Sequence, residues 1–118
     1  MRVAPEVLAP YGQTSAGELW ERFRYFYERL IPIAEEAGVN VGAHPDDPPE
    51  LHYRGVQQVL NCVDGLKRLV DLVPSRRSGL LLCVGTLHEM GEDTMGAIEY
   101  FLQRGKVFYV HFRNPRGT

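Results

Sequence analysis

At 118 residues the chain is long enough for one small domain, and with 44% hydrophobic and 24% charged residues it has the composition of an ordinary folded protein. A formal net charge of −2 with no clustered basic face excludes a nucleic-acid footprint, and the longest apolar stretch, residues 79–85, is far too short to cross a membrane. The start of the chain lacks an apolar run of signal-peptide length and its only cysteines are Cys62 and Cys83, so a cytoplasmic protein with free thiols is expected.

The first predicted element is a helix over residues 15–38. Ser15 and Glu18 form the S-x-x-E pattern of a capping box, and Gly38 supplies a C-cap. Leu19, Phe23, Phe26, Leu30, Ile33, Ala34 and Ala37 recur at helical spacing and define the expected buried stripe. Pro32 lies inside this pattern and predicts a kink, because its ring crowds the carbonyl of Glu28. A strand over 39–44 follows. Prolines at 45, 48 and 49 then predict a rigid loop over 45–60. A second helix is expected over 61–73, capped by Asn61, with Val63, Leu66, Leu69, Val70 and Val73 inward. Residues 74–79 read as a polar turn. The continuous apolar run that follows predicts a strand over 80–84 of the kind covered on both faces. Residues 85–92 read as loop. Asp93 caps a third helix over 93–105, with Ile98, Phe101 and Leu102 inward, and a third strand is expected over 106–112.

The alternation α-β-α-β-α-β, with helices of crossover length, predicts an α/β fold built from parallel βαβ units. Three strands fit a small open sheet, or one arc of a larger (β/α)8 TIM barrel. The run from an initial helix to a final strand predicts a section of such a barrel. Open sheet edges and an uncovered face predict that the chain pairs with another copy, as a homo-oligomer.

Three side chains stand at equivalent places in this pattern. His44 ends the first strand, Cys83 lies near the end of the second, and His111 near the end of the third. Active sites of parallel α/β sheets and barrels form at the carboxyl ends of strands. Neighbouring strands run about 4.8 Å apart, so three consecutive strand ends can converge on one ion. Imidazole and thiolate are metal-binding groups, which makes His44, Cys83 and His111 a candidate divalent-metal site. Asp46 and Asp47 follow His44 and are candidates for orienting an imidazole or for acid–base work, against the plainer reading of Asp beside Pro as a turn former. His52, His88 and Glu89 read as loop residues. Arg54, Arg113 and Arg116 lie near the same strand ends, and arginine pairs with carboxylates through two parallel hydrogen bonds. They are candidates for binding an acidic small molecule.

The strings around these residues carry a more specific signal. Residues 31–39 (IPIAEEAGV) and 43–49 (AHPDDPP), then Arg54-Gly55, Lys67-Arg68-Leu69, Cys83-Val84-Gly85-Thr86, Glu89-Met90-Gly91 and Val110-His111-Phe112-Arg113, resemble the middle of mannonate dehydratase in order and with few gaps. The resemblance runs from about Glu18 onward. It implies a xylose-isomerase-like (β/α)8 barrel, Mn²⁺ or Fe²⁺ as cofactor, and dehydration of the sugar acid D-mannonate to 2-dehydro-3-deoxy-D-gluconate in hexuronate breakdown. The family's ligands among these strings correspond to His44, Cys83 and His111, the residues already singled out at the strand ends. Its fourth ligand, an Asp, and its acid–base residues belong downstream of these strings. Val84 and Leu87 depart from the family's usual C-Q-G-T and following aromatic residue. Two other readings fit the same residues: a sugar isomerase or epimerase on this barrel, which a cysteine ligand disfavours, and a catalytically inactive fragment that binds metal or associates with itself.

Overall fold

The computed structural model describes residues 15–46, 52–53 and 56–112, with 52, 53 and 56 described by backbone alone. Helix α1 spans Ala16–Ala37. Ser15 Oγ accepts the Glu18 amide at 3.2 Å, as the capping pattern requires. Gly38 closes the helix at φ 70°, and its amide and that of Val39 return to the last turn. This left-handed geometry carries little penalty only for a residue without Cβ.

The helix continues through Pro32. Its buried stripe is Trp20, Tyr27, Ile31 and Ala34, whereas Phe26 and Ile33 are exposed. Of the expected stripe, Ala34 is buried and Leu19 and Phe23 pack against the core, so the periodicity holds over part of the helix and fails at Phe26 and Ile33. Arg68 lies over the Trp20 ring, 4.3 Å from its centroid, adding a cation–π contact to the buried indole.

Strand β1, Val41–Ala43, is shorter than the expected 39–44. The expected loop over 45–60 contains two short antiparallel strands, β2 (His52–Tyr53) and β3 (Val56–Gln57). Gln57 Oε1 accepts the Ala16 amide at 3.0 Å and ties this hairpin to the start of α1. Helix α2 is Val63–Asp71. Its cap residue is Cys62 rather than Asn61, and it forms no side-chain capping bond. Instead the Glu92 carboxylate, 29 residues away, accepts the Val63 amide at 2.8 Å. A tertiary partner has replaced the local cap.

Strand β4 spans Ser78–Cys83 and takes in two residues of the expected polar turn. Pairing accounts for this: Val41 and Gly42 need partners, and Ser78 and Gly79 supply them. Val84, expected to end the strand, and residues 85–89, expected as loop, form helix α3, Val84–Glu89. Helix α4 is Thr94–Gln103, capped by Asp93, whose Oδ1 accepts the Gly96 amide at 3.1 Å. Strand β5 is Val107–His111.

β1, β4 and β5 form one parallel sheet in that order, as expected for sequential βαβ units. The core is Ile31 of α1, Leu66, Leu69 and Val70 of α2, Leu80 and Leu82 of β4, Leu87 of α3, and Ala97 and Phe101 of α4. Leu102, expected inward, is exposed. Cys62 and Cys83 are free thiols. No helix among the described residues is long and apolar enough to cross a membrane.

Candidate metal centre

Register decides which residues share a face of the sheet. Val41, Gly42 and Ala43 pair with Ser78, Gly79 and Leu80; Leu80 pairs with Val107, and Leu81, Leu82 and Cys83 pair with Tyr109, Val110 and His111. Strand side chains alternate. Val41, Ala43, Leu80, Leu82 and Val107 therefore share the face that packs on the helical core. Gly42, Leu81, Cys83, Tyr109 and His111 share the other face, and His44, two residues past Gly42, continues it.

A bulge keeps His111 on this face. Between Leu80 and Leu81 the partner in β5 advances by two residues, from Val107 to Tyr109, so Phe108 is the extra residue. Unbroken pairing would set Val110 opposite Cys83 and turn His111 toward the helical core, because a one-residue shift exchanges faces. The Phe108 ring sits over Gly79, where a Cβ would lie 2.7 Å from the ring edge and from the Lys106 carbonyl.

The result brings the three predicted ligands together. One ligand atom each from His44, Cys83 and His111 lies within 4.8 Å of the others. Donors bonded to one ion at about 2.0–2.3 Å stand roughly 3.5 Å apart, so small side-chain rotations close the site. The imidazole rings are 5.6 Å apart between centroids, and Tyr109 meets His111 edge-on at 5.6 Å. Cys83 is buried, and the buried Thr86 hydroxyl donates to its Sγ at 3.1 Å. His44 Nδ1 lies 2.5 Å from the Pro45 carbonyl. A carbonyl only accepts, so Nδ1 is the donor, which in the neutral ring leaves Nε2 with the lone pair that a metal needs. Thr86 and the Pro45 carbonyl thus act on the ligands as outer partners do in metal sites. Two imidazoles and a thiol in this state fit a divalent first-row ion. Among the described residues no other group of three such side chains converges in this way.

Asp46 does not turn toward the ligands. Its carboxylate accepts the Leu60 amide at 2.8 Å. Burial raises the Asp46 carboxyl above the usual carboxylate range, with the Leu60 amide and the neighbouring His44 pulling the other way. His88 stands exposed on α3, outside the cluster, and Glu89 lies outside it as well. Asp47, Arg54, Arg113 and Arg116 lie outside the described residues, as does the side chain of His52. Sequence reasoning assigned no role to Thr86 or Leu60. Thr86 stands within the C-x-G-T string, so a signal for it was present; a residue acting through its backbone amide leaves none. At the opposite strand ends, a cavity of about 440 Å³ is lined by Glu35, Asn40, Ser75, Arg76 and Arg77. It offers no imidazole or thiol, which leaves the candidate chemistry at the carboxyl ends.

The profile of the D-mannonate dehydratase (UxuA) family matches residues 2–117. The chain belongs to the D-mannonate dehydratase family. It is 34% identical over 112 residues to a mannonate dehydratase of Endomicrobium trichonymphae, covering 94% of this chain and 30% of that protein. Against a mannonate dehydratase of Geobacillus thermodenitrificans (strain NG80-2), identity is 34% over 115 residues, covering 97% and 31%. The crystal structure of mannonate dehydratase from Streptococcus suis serotype 2 superposes with a TM-score of 0.77 at 30% identity, over 97% of this chain and 30% of that one. The chain therefore spans a little under a third of the length of these relatives. Its parallel sheet and helices are an arc of the TIM-barrel-type fold of the mannonate dehydratase family.

Proposed function

We propose that this chain carries the His44, Cys83 and His111 part of the metal centre of a D-mannonate dehydratase, a hydro-lyase acting on a sugar acid. The observation that supports this most is the convergence of three donors on one face at three consecutive strand ends, in a chain of this family. The reaction breaks C2–H and C3–O of D-mannonate, releases water, and leaves an enol that becomes the 2-keto acid. The C2 proton is weakly acidic because the adjacent carboxylate is already anionic. A bound Mn²⁺ or Fe²⁺ supplies Lewis-acid stabilisation of the charge that develops there. A thiolate ligand favours Fe²⁺ on grounds of softness, while the family resemblance brings in Mn²⁺.

The chain's own residues prepare the site. The Pro45 carbonyl orients the His44 ring, and the Thr86 hydroxyl donates to the Cys83 sulfur and holds it in place. Arg54, Arg113 and Arg116 are proposed to pair with the substrate carboxylate. Asp47 remains the acid–base candidate of this segment, since the Asp46 carboxylate is taken up by the Leu60 amide.

The test is formation of 2-keto acid from D-mannonate by the purified chain with Mn²⁺ or Fe²⁺, alongside Cys83→Ser. Metal-dependent product that falls by at least about tenfold in the variant supports the proposal. Product formation that is equal with and without Cys83 overturns it.

A further inference from the structure

Asp46 is joined to Leu60 twice. Its amide donates to the Leu60 carbonyl at 3.0 Å, and its Oδ2 accepts the Leu60 amide at 2.8 Å. Leu60 is a firm anchor. It and Val59 are buried in the core, and the Val59 carbonyl rests where a side chain on Gly65 would be, 1.8 Å from the position of a Cβ. Only glycine in α2 permits that approach.

The peptide unit between Pro45 and Asp46 connects this anchor to the metal face. A peptide is a rigid plane, with its carbonyl and its amide at opposite sides. The amide end, Asp46 N–H, is held by Leu60. The carbonyl end, Pro45 C=O, receives the His44 Nδ1 proton. Fixing one side of the plane fixes the other, and with it the direction of the imidazole. Pro45 adds stiffness, since its φ is locked by the ring.

We infer that Asp46 is a positioning residue: by strapping the Pro45–Asp46 peptide to Leu60, it aims His44 Nε2 at the point shared with Cys83 and His111. This rests on the metal-centre reading above. The role needs a short side-chain acceptor rather than a charge, so asparagine should serve and alanine should not.

The experiment is Co²⁺ titration of the full chain, followed by the thiolate-to-cobalt absorption of Cys83, for the parent, Asp46→Ala and Asp46→Asn. Affinity should fall by about 10–100-fold in Asp46→Ala and stay within about threefold of the parent in Asp46→Asn. The same three proteins are compared without metal, by amide exchange at Leu60 and by the His44 ring resonances. Asp46→Ala should speed that exchange and shift those resonances, and Asp46→Asn should do neither. Asp46→Ala matching the parent in either arm, or Asp46→Asn failing as Asp46→Ala does, overturns the strap. A parent that takes up no Co²⁺ removes the metal-centre reading instead, and the metal-free arm then decides the strap alone.

Discussion

Alternate residues of β4 answer to different demands. Leu80 and Leu82 face the helices, are essentially inaccessible to water, and are held by non-directional apolar contact. Leu81 and Cys83 face the other way, toward Tyr109, His111 and His44, where a hydroxyl, a carbonyl and a bulge set the geometry. Any well-fitting apolar side chain satisfies the first face at modest cost. The second depends on register and on single hydrogen bonds. Stability and metal affinity should therefore respond to different substitutions.

The largest expected effect lies on the helical side. Phe101 is fully buried, and Phe101→Ala should lower unfolding free energy by about 3–5 kcal/mol in urea titrations. His111→Ala should do the reverse. It is exposed, so stability should move by no more than about 0.5 kcal/mol, while Co²⁺ affinity should fall beyond the roughly 10–100-fold typical of losing an outer partner. A His111→Ala protein that unfolds early, or that binds metal as before, breaks the division.

Two glycines on the same face sharpen it. A Cβ on Gly79 meets Phe108 and the Lys106 carbonyl at 2.7 Å, whereas one on Gly42 meets only backbone at 3.5 Å, an ordinary contact. Gly79→Ala should cost about 1–3 kcal/mol and weaken metal binding by disturbing the bulge. Gly42→Ala should stay within about 0.5 kcal/mol and leave binding intact. Parallel thermal melts and metal titrations distinguish them.

The smallest effect is a pH dependence. Burial pushes the Tyr27 phenol above its ordinary value of 10.0. Below that value the phenol is neutral in both folded and unfolded chains. As pH rises beyond it, the unfolded chain ionises first, so stability falls across the window up to the folded value. Tyr27→Phe should flatten that alkaline decline in denaturation curves between about pH 9 and 11.

Much of this organisation was legible in the residues. Three strands appeared in order, with parallel pairing, because each apolar run was bounded by helical periodicity and turn formers. His44, Cys83 and His111 were marked by standing at matching strand ends. The stripe of α1 is legible at Leu19, Phe23 and Ala34 but not at Phe26 and Ile33, which recur with the same helical period as Trp20 and Ile31. Ser78 and Gly79 became strand because β1 needed partners, a demand invisible in local composition. Helix α3 lies among residues read as loop, and the α2 cap comes from Glu92, which is distant in sequence. The Asp46–Leu60 pairing left no signal, since one partner acts through its backbone. The strand extension at Ser78, the α2 cap and the Asp46–Leu60 pairing share a cause: each was decided by contacts between segments rather than within one.

The β5 bulge also governs which length changes this segment tolerates. Because Val107 and Phe108 together stand against the single residue Leu80 of β4, removing Phe108 leaves Val107 opposite Leu80, Tyr109 opposite Leu81 and His111 opposite Cys83. Removing Val110 moves His111 opposite Leu82 and turns it to the opposite face of the sheet, away from His44 and Cys83. Position 108 is thus where this strand can lose a residue without losing its ligand, and one step beyond Tyr109 a deletion of the same size silences the site.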